Sequence, residues 1–142
     1  PLMRRADSIA DLIFWLGVGT AIWLWRPEIF RPHLWWIRIA LLMEVLTYVV
    51  SFLKFGKELA AHAYSGKLLG IGILLGFTHL WWTGAPQWTL YMMLILANVS
   101  QLDRFGIAFF LPQWTPDTPS TYHAWRIRQG LPIKKHKLFH GE

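Results

Sequence analysis

Four long apolar runs, separated by short stretches of charged and turn-forming residues, constrain the fold of this chain more than any other feature. They extend over Leu12–Trp25, Leu34–Leu53, Leu68–Trp82 and Trp88–Leu111. The first run becomes long enough to cross a bilayer if Ser8 to Asp11 form its first turn. Only 15% of the residues are charged and 54% are hydrophobic, whereas about a quarter of the residues of a soluble domain are charged. We therefore expect an integral membrane protein.

The fold class follows from the need to satisfy backbone hydrogen bonds inside a bilayer. Lipid offers no hydrogen-bond partners, so a spanning segment must satisfy its own backbone groups as a helix. The runs and their short connections predict an all-α, polytopic, up-and-down bundle with spans at about residues 8–25, 34–53, 68–82 and 88–111. The transmembrane domain would cover residues 1–111, and the polar, basic residues 112–142 would form a tail outside the bilayer. The absence of cysteine excludes disulfides and thiolate metal sites.

Aromatic and basic residues predict the orientation of the bundle. Seven of the ten tryptophans fall at one set of run ends, as in an interfacial belt: Trp23, Trp25, Trp35, Trp36, Trp81, Trp82 and Trp88. Most cations fall at the other set of ends, which the positive-inside rule places in the cytoplasm. The net charge of +6 therefore needs no nucleic-acid partner. The chain opens on Pro1 without an initiator methionine, which suggests a fragment or a processed product.

Two carboxylates, Asp7 and Asp11, stand at the start of the first run, on the predicted cytoplasmic side. Positions i and i+4 of a helix share one face, so the two residues would offer oxygen ligands to a common point. Such a point suits Mg²⁺ or Mn²⁺ better than a soft metal. The alternative is that Asp7 caps the helix and that Asp11, in the first turn, interacts favourably with the helix dipole.

A basic loop follows the second run and contains Lys54, Lys57, His62 and Lys67. We expect it to attract anionic lipids or phosphate-bearing substrates. The alternative is that membrane topology alone accounts for these cations.

Three further groups of residues lie inside the apolar runs. Glu44 would pair with Arg38 or line a cavity. Asp103 and Arg104 would form an interhelical polar contact or part of a headgroup pocket. Three glycines would allow close helix packing: Gly70, Gly72 and Gly76.

The spacing Asp7-x-x-x-Asp11 before an apolar helix resembles the end of the signature of the CDP-alcohol phosphatidyltransferases, D-x(2)-D-G-x(2)-A-R-x(8)-G-x(3)-D-x(3)-D. The stretches 52–57 and 62–68 are similar to the link between the fourth and fifth helices of that family. The stretches 114–120 and 123–126 resemble the tail of some of its bacterial members. The resemblance covers nearly the whole chain, as the last four of six helices. It implies a bacterial cytoplasmic membrane and a homodimer.

The resemblance implies a mechanism as well. Asp7 and Asp11 match the third and fourth aspartates of the signature, which are ligands of a pair of Mg²⁺ or Mn²⁺ ions, and Asp11 also matches the general base. The enzyme would transfer a phosphatidyl group from CDP-diacylglycerol to an alcohol in phospholipid synthesis and release CMP. Lys54, Lys57, His62 and Lys67 would contact substrate phosphates. The identity of the acceptor alcohol stays open.

The chain also departs from the signature. Its first two aspartates and its Gly, Ala and Arg would lie upstream of Pro1, and Met3 stands where the later glycine is expected. We therefore expect this fragment alone to be inactive. The alternative function is that of a non-catalytic four-helix membrane scaffold or transporter subunit.

Overall fold

The structure is a computed structural model that describes the backbone of residues 2–59, 63–85 and 88–132, and their side chains except those of residues 2–9, 11, 12 and 15. These residues form helices joined by short loops, and no strand occurs among them. The prediction of an all-α fold is therefore confirmed. The chain divides into two compact units, Pro1–Trp35 and Trp36–Glu142.

Two helical stretches of the described chain are long and apolar enough to cross a membrane, by length and composition. They are Pro27–Phe55 and Trp88–Phe110, which contain the second and fourth predicted spans. The apolar part of the first helix that could be assessed, Leu16–Trp25, is shorter. The part of the prediction that the helices support is thus an all-helical chain with two candidate spans.

The first unit consists mainly of helix α1, Leu2–Trp25, which is 24 residues long. Arg26 separates it from the single turn α2, Pro27–Phe30, and a 3-10 turn follows at Arg31–His33. Pro27 suits the first position of α2 because the backbone N–H that it lacks would have no partner inside a helix. The helical structure is therefore interrupted at Arg26.

The second unit contains four helices: α3, Leu34–Phe55, which enters the unit at Trp36; α4, Tyr64–Thr83; α5, Trp88–Phe110; and α6, Thr121–Arg128. Helix α4 ends at Gly84, whose φ of 66° is left-handed and whose N–H donates to Leu80 O at 2.8 Å. Glycine is favoured at this position because it has no Cβ to clash. The turn after Gly84 reverses the chain, and α5 packs along α4.

Close packing of α4 on α5 depends on two of the three predicted glycines. A Cβ at Gly72 would lie 2.6 Å from Leu96 Cδ1, and one at Gly76 would lie 3.3 Å from Met93 Sδ. Both glycines are buried. Gly70 is exposed and a Cβ there would meet no atom within 4 Å, so the prediction for Gly70 is wrong. Only the glycines on the α5 side of α4 allow close approach.

The ends of α3, α4 and α5 meet α6 around a small apolar core of Ala63, Ile107, Leu111 and Ala124. The described part of the predicted tail is folded against this core. Thr118 and Pro119 are fully buried, and Tyr64 N–H donates to Pro119 O at 3.0 Å. Residues up to Arg128 are therefore held by the second unit. The predicted domain boundary at residue 111 stays a prediction.

The seven tryptophans of the predicted belt are all exposed, at 38–88%. Within the second unit, Trp81, Trp82 and Trp88 lie at one end of the α4–α5 hairpin. The backbone oxygen of Trp36, however, accepts a hydrogen bond from Asn98 Nδ2 at 3.3 Å. Asn98 follows Trp88 by ten residues, or about 15 Å of helix. The backbone of Trp36 therefore lies beside the middle of α5, and the shared interface of the seven tryptophans stays a prediction.

Candidate functional site

Asp7 and Asp11 lie within α1, which is already helical at Leu2. Both residues are therefore beyond the first turn of the helix, where an acidic residue would meet unpaired backbone N–H groups. The capping alternative does not explain them. Their positions share one face of the helix and are separated by about 6 Å along its axis. The apolar run from Leu12 to Trp25 begins directly after them.

Glu44 forms an ion pair with Arg104, which brings the middle of α3 to α5. The expected partner, Arg38, is exposed, and the prediction of a Glu44–Arg38 pair is wrong. The side chains of Glu44 and Arg104 keep 19% and 26% of their surface accessible. Sequence alone favoured Arg38 because it lies on the same helix, whereas Arg104 becomes a neighbour only when α5 packs beside α3.

Two amides on α5 lie on the same side as Arg104, at intervals of three residues, and the sequence interpretation missed both. Asn98 donates from Nδ2 to Trp36 O and to Leu94 O, at 3.3 and 2.9 Å. Its Oδ1, and Oε1 of Gln101, are buried and have no hydrogen-bond partner among the described residues. The spacing of Asn98, Gln101 and Arg104 within an apolar run was the signal that could have revealed this polar stripe.

Asp103 links three helices of the second unit. Its carboxylate accepts hydrogen bonds from Ser65 Oγ on α4 at 2.7 Å and from the backbone N–H and Oγ1 of Thr121 at 2.8 and 2.7 Å. The N–H of Thr121 is one of the donors that a helix leaves unpaired at its start. Asp103 therefore caps α6 from a neighbouring helix. Of the two alternatives for Asp103 and Arg104, the contacts match the interhelical polar contact.

Lys54, a predicted substrate ligand, reaches the last turn of α5. Its Nζ donates to Ala108 O at 3.2 Å and to Phe109 O at 2.6 Å. The final carbonyls of a helix lack internal partners and carry partial negative charge, so a lysine there is stabilising. The ammonium group of Lys54 is thus used to fasten α3 to the end of α5.

Lys57, the second predicted ligand, stacks on an aromatic ring. Its Nζ lies 3.8 Å from the centre of the Trp114 ring, in a cation–π contact. Trp114 Nε1 also donates to Glu58 O at 3.0 Å. The loop after α3 is therefore attached to the loop after α5. The ammonium group stays at the surface, since Lys57 as a whole is exposed.

The remaining predicted residues divide between the two units. Lys67 is exposed near the start of α4, and His62 lies outside the described residues. Asp7 and Asp11 belong to the first unit, whereas the three lysines belong to the second. The second unit brings Lys54 and Lys57 to the same end of the bundle. Among the residues that could be searched, no group of three or more His, Cys, Asp or Glu could hold a metal ion.

No family model, curated protein or solved structure matches this chain. The resemblance to the phosphatidyltransferases therefore depends on the residues described above, chiefly Asp7 and Asp11.

Proposed function

We propose that this chain is part of a membrane-embedded enzyme that transfers a phosphatidyl group from CDP-diacylglycerol to an alcohol and releases CMP. The observation that carries the proposal is the position of Asp7 and Asp11, one turn apart inside α1 and directly before an apolar run. Carboxylates at the boundary of a membrane helix are costly unless they face a polar site. In this proposal α1 and α4 also cross the bilayer, and α1 begins on the cytoplasmic side.

The donor chemistry of Asp7 and Asp11 fits a hard divalent cation. Mg²⁺ is commonly bound through one or two carboxylates, with waters and substrate phosphates completing its shell. Asp7 and Asp11 would hold the ion together with residues of the first half of the signature, which this sequence does not contain. When bound, the metal supplies Lewis-acid polarisation of phosphoryl oxygens.

The two aspartates have different roles in the proposed reaction. Asp11 accepts the proton of the acceptor alcohol as the alcohol oxygen attacks the β-phosphorus of CDP-diacylglycerol. A new ester bond forms, the bond from the β-phosphorus to the bridging oxygen breaks, and CMP leaves with that oxygen. Asp7 would hold the metal.

The basic residues divide into two groups in this proposal. Lys57 and Lys67 are exposed cations that would attract substrate phosphates, and His62 stays a predicted ligand. Lys54 already donates to two carbonyls of α5, so we assign it to the stability of the second unit. A phosphorylated acceptor agrees with the basic loop. The homodimer and the bacterial cytoplasmic membrane remain part of the proposal.

The test is CMP release from CDP-diacylglycerol by the chain expressed with its upstream coding region, with and without Mg²⁺. We expect Asp11→Asn to lower the rate by about 10²- to 10⁴-fold, the usual contribution of a general base. Glu28→Gln is the matched control, because Glu28 is an exposed carboxylate of the same unit, and it should leave the rate unchanged. Full activity of Asp11→Asn would overturn the role of Asp11.

The scaffold alternative keeps one specific observation in its favour. Both Lys54 and Lys57, expected to bind substrate, are engaged in contacts within the chain. A scaffold predicts no CMP release from the extended chain. It also predicts that neither Mg²⁺ nor Asp7→Asn changes the thermal stability of the protein. If Asp7 is a metal ligand, Mg²⁺ should raise the thermal stability, and Asp7→Asn should reduce that increase.

A further inference from the structure

Helix α6 lies alongside the last two turns of α5, one of the two candidate membrane spans. Its first residue, Thr121, contacts Asp103 and sits so close to Gly106 that a Cβ there would lie 2.4 Å from Thr121 Oγ1. Its middle residue, Ala124, packs in one cluster with Ile107 and Leu111. Helix α6 therefore runs parallel to the end of α5. Its residues lie at the depth at which α5 would leave the bilayer.

The two faces of α6 differ in their surroundings. Ala124 is fully buried and Ile127 is partly buried against the apolar core. On the other face, Tyr122 and Trp125 are 58% and 42% exposed. Their rings stack at 6.3 Å with planes 28° apart. Two large amphipathic rings thus stand together on the outer surface, and tyrosine and tryptophan concentrate where membrane helices meet the headgroups.

Positive charge accompanies this aromatic pair. The guanidinium of Arg126 lies 5.9 Å from the centre of the Tyr122 ring, and Arg128 is exposed at the end of α6. From residue 121 to the end of the sequence there is one carboxylate residue, Glu142, and five basic ones: Arg126, Arg128, Lys134, Lys135 and Lys137. A surface of this composition is complementary to phosphate-bearing lipid headgroups.

We propose that the outer face of α6, which carries Tyr122 and Trp125, docks on the anionic surface of the membrane together with Arg128 at the end of the helix. Tyr122 and Trp125 lie at headgroup depth, and Arg128 binds lipid phosphates. The lipid surface is thereby a partner of the C-terminal segment. This role requires α5 to cross the bilayer, but it requires no catalytic activity and no residue of α1.

The absence of cysteine allows one spin label to be placed at a time in the full chain. We would label Trp125→Cys, and separately Tyr122→Cys, in nanodiscs of phosphatidylcholine and in nanodiscs of equal parts phosphatidylcholine and phosphatidylglycerol. The accessibility of the label to oxygen and to a water-soluble nickel complex gives its depth. Val99→Cys, on an exposed position in the middle of α5, marks the lipid interior, and Gln113→Cys, in the exposed loop, marks water.

We expect both α6 labels to lie between the two reference depths and to move deeper with phosphatidylglycerol. Arg128→Gln should reduce that shift at least two-fold, because it removes an exposed cation. Labels as accessible to nickel as Gln113→Cys in both lipids would overturn the proposal. Labels closed to both reagents would also overturn it, since a protein partner would then cover α6. A water-exposed Val99→Cys label would refute the membrane placement of α5, on which the proposal depends.

Discussion

Helix α5 packs against α4 and α3 in two different ways. Against α4 it approaches closely at Gly72 and Gly76, where a Cβ would meet the side chains of Leu96 and Met93. Towards α3 the contacts are made by long polar side chains, including the Arg104–Glu44 ion pair and the bonds from Lys54 Nζ to two α5 carbonyls. The α4–α5 contact thus depends on glycines, which have no side chain, whereas the α3–α5 contact depends on long polar side chains.

The two contacts correspond to two general ways in which membrane helices associate. Among lipid tails, apolar side chains gain no hydrophobic free energy by touching each other, so association depends on close packing or on hydrogen bonds. The α4–α5 pair uses the first solution and the α3–α5 pair the second. The exposed apolar residues of α3, such as Leu41, Val45 and Leu53 at 55%, 58% and 84%, are free to face lipid in either arrangement. Substitutions should therefore affect the two contacts through different physical causes.

The largest effect on stability is expected at the ion pair. Arg104→Met leaves the Glu44 carboxylate partly buried without its partner, which should lower the free energy of unfolding by about 3 kcal/mol. The double variant Glu44→Met, Arg104→Met removes both charges and should recover most of that loss. Unfolding in detergent micelles, followed by far-UV circular dichroism, measures each variant. Equal losses in the single and double variants would show that the pair does not hold α3 to α5.

A smaller effect is expected at the close contact. Gly76→Val places methyl groups against Met93 and the backbone oxygen of Thr89, and we expect this overpacking to lower the unfolding free energy by about 2 kcal/mol. Gly70→Val is the matched control, since it has the same helix propensity and no atom within 4 Å of its Cβ. The same unfolding measurement compares them. Two variants of equal stability would contradict close packing as the basis of the α4–α5 contact.

The smallest effect is expected at the end of α5. Lys54→Met removes the donors to the carbonyls of Ala108 and Phe109 and should cost about 1 kcal/mol, as for a favourable charge at a helix C-terminus. Lys54→Arg keeps the charge and should restore most of the stability. Under the proposed function, Lys54→Met should leave the affinity for CDP-diacylglycerol unchanged. A large rise in KM without a change in stability would show that Lys54 binds the substrate.

Local features of the sequence were sufficient to predict the helices and several turns. The apolar runs predicted α3 and α5, because a mostly apolar run of this length is typical of a buried or spanning helix. Pro27 and Gly84 marked breaks that the structure contains, since their backbone preferences act within a few residues. The same local reasoning failed at Glu44, because an intrahelical cation is visible in the sequence whereas one on another helix is not.

The sequence by itself determined the all-helical class and the placement of Asp7 and Asp11 on one helical face, because each depends on periodicity and length within one segment. Of the four spans that it predicted, two correspond to helices long and apolar enough to cross a membrane. The tertiary structure alone decided that Asp103 caps α6, that Arg104 is the partner of Glu44 and that Lys54 binds the end of α5. These contacts join residues up to 60 positions apart. Their partners are fixed by how the helices pack, which no local pattern specifies.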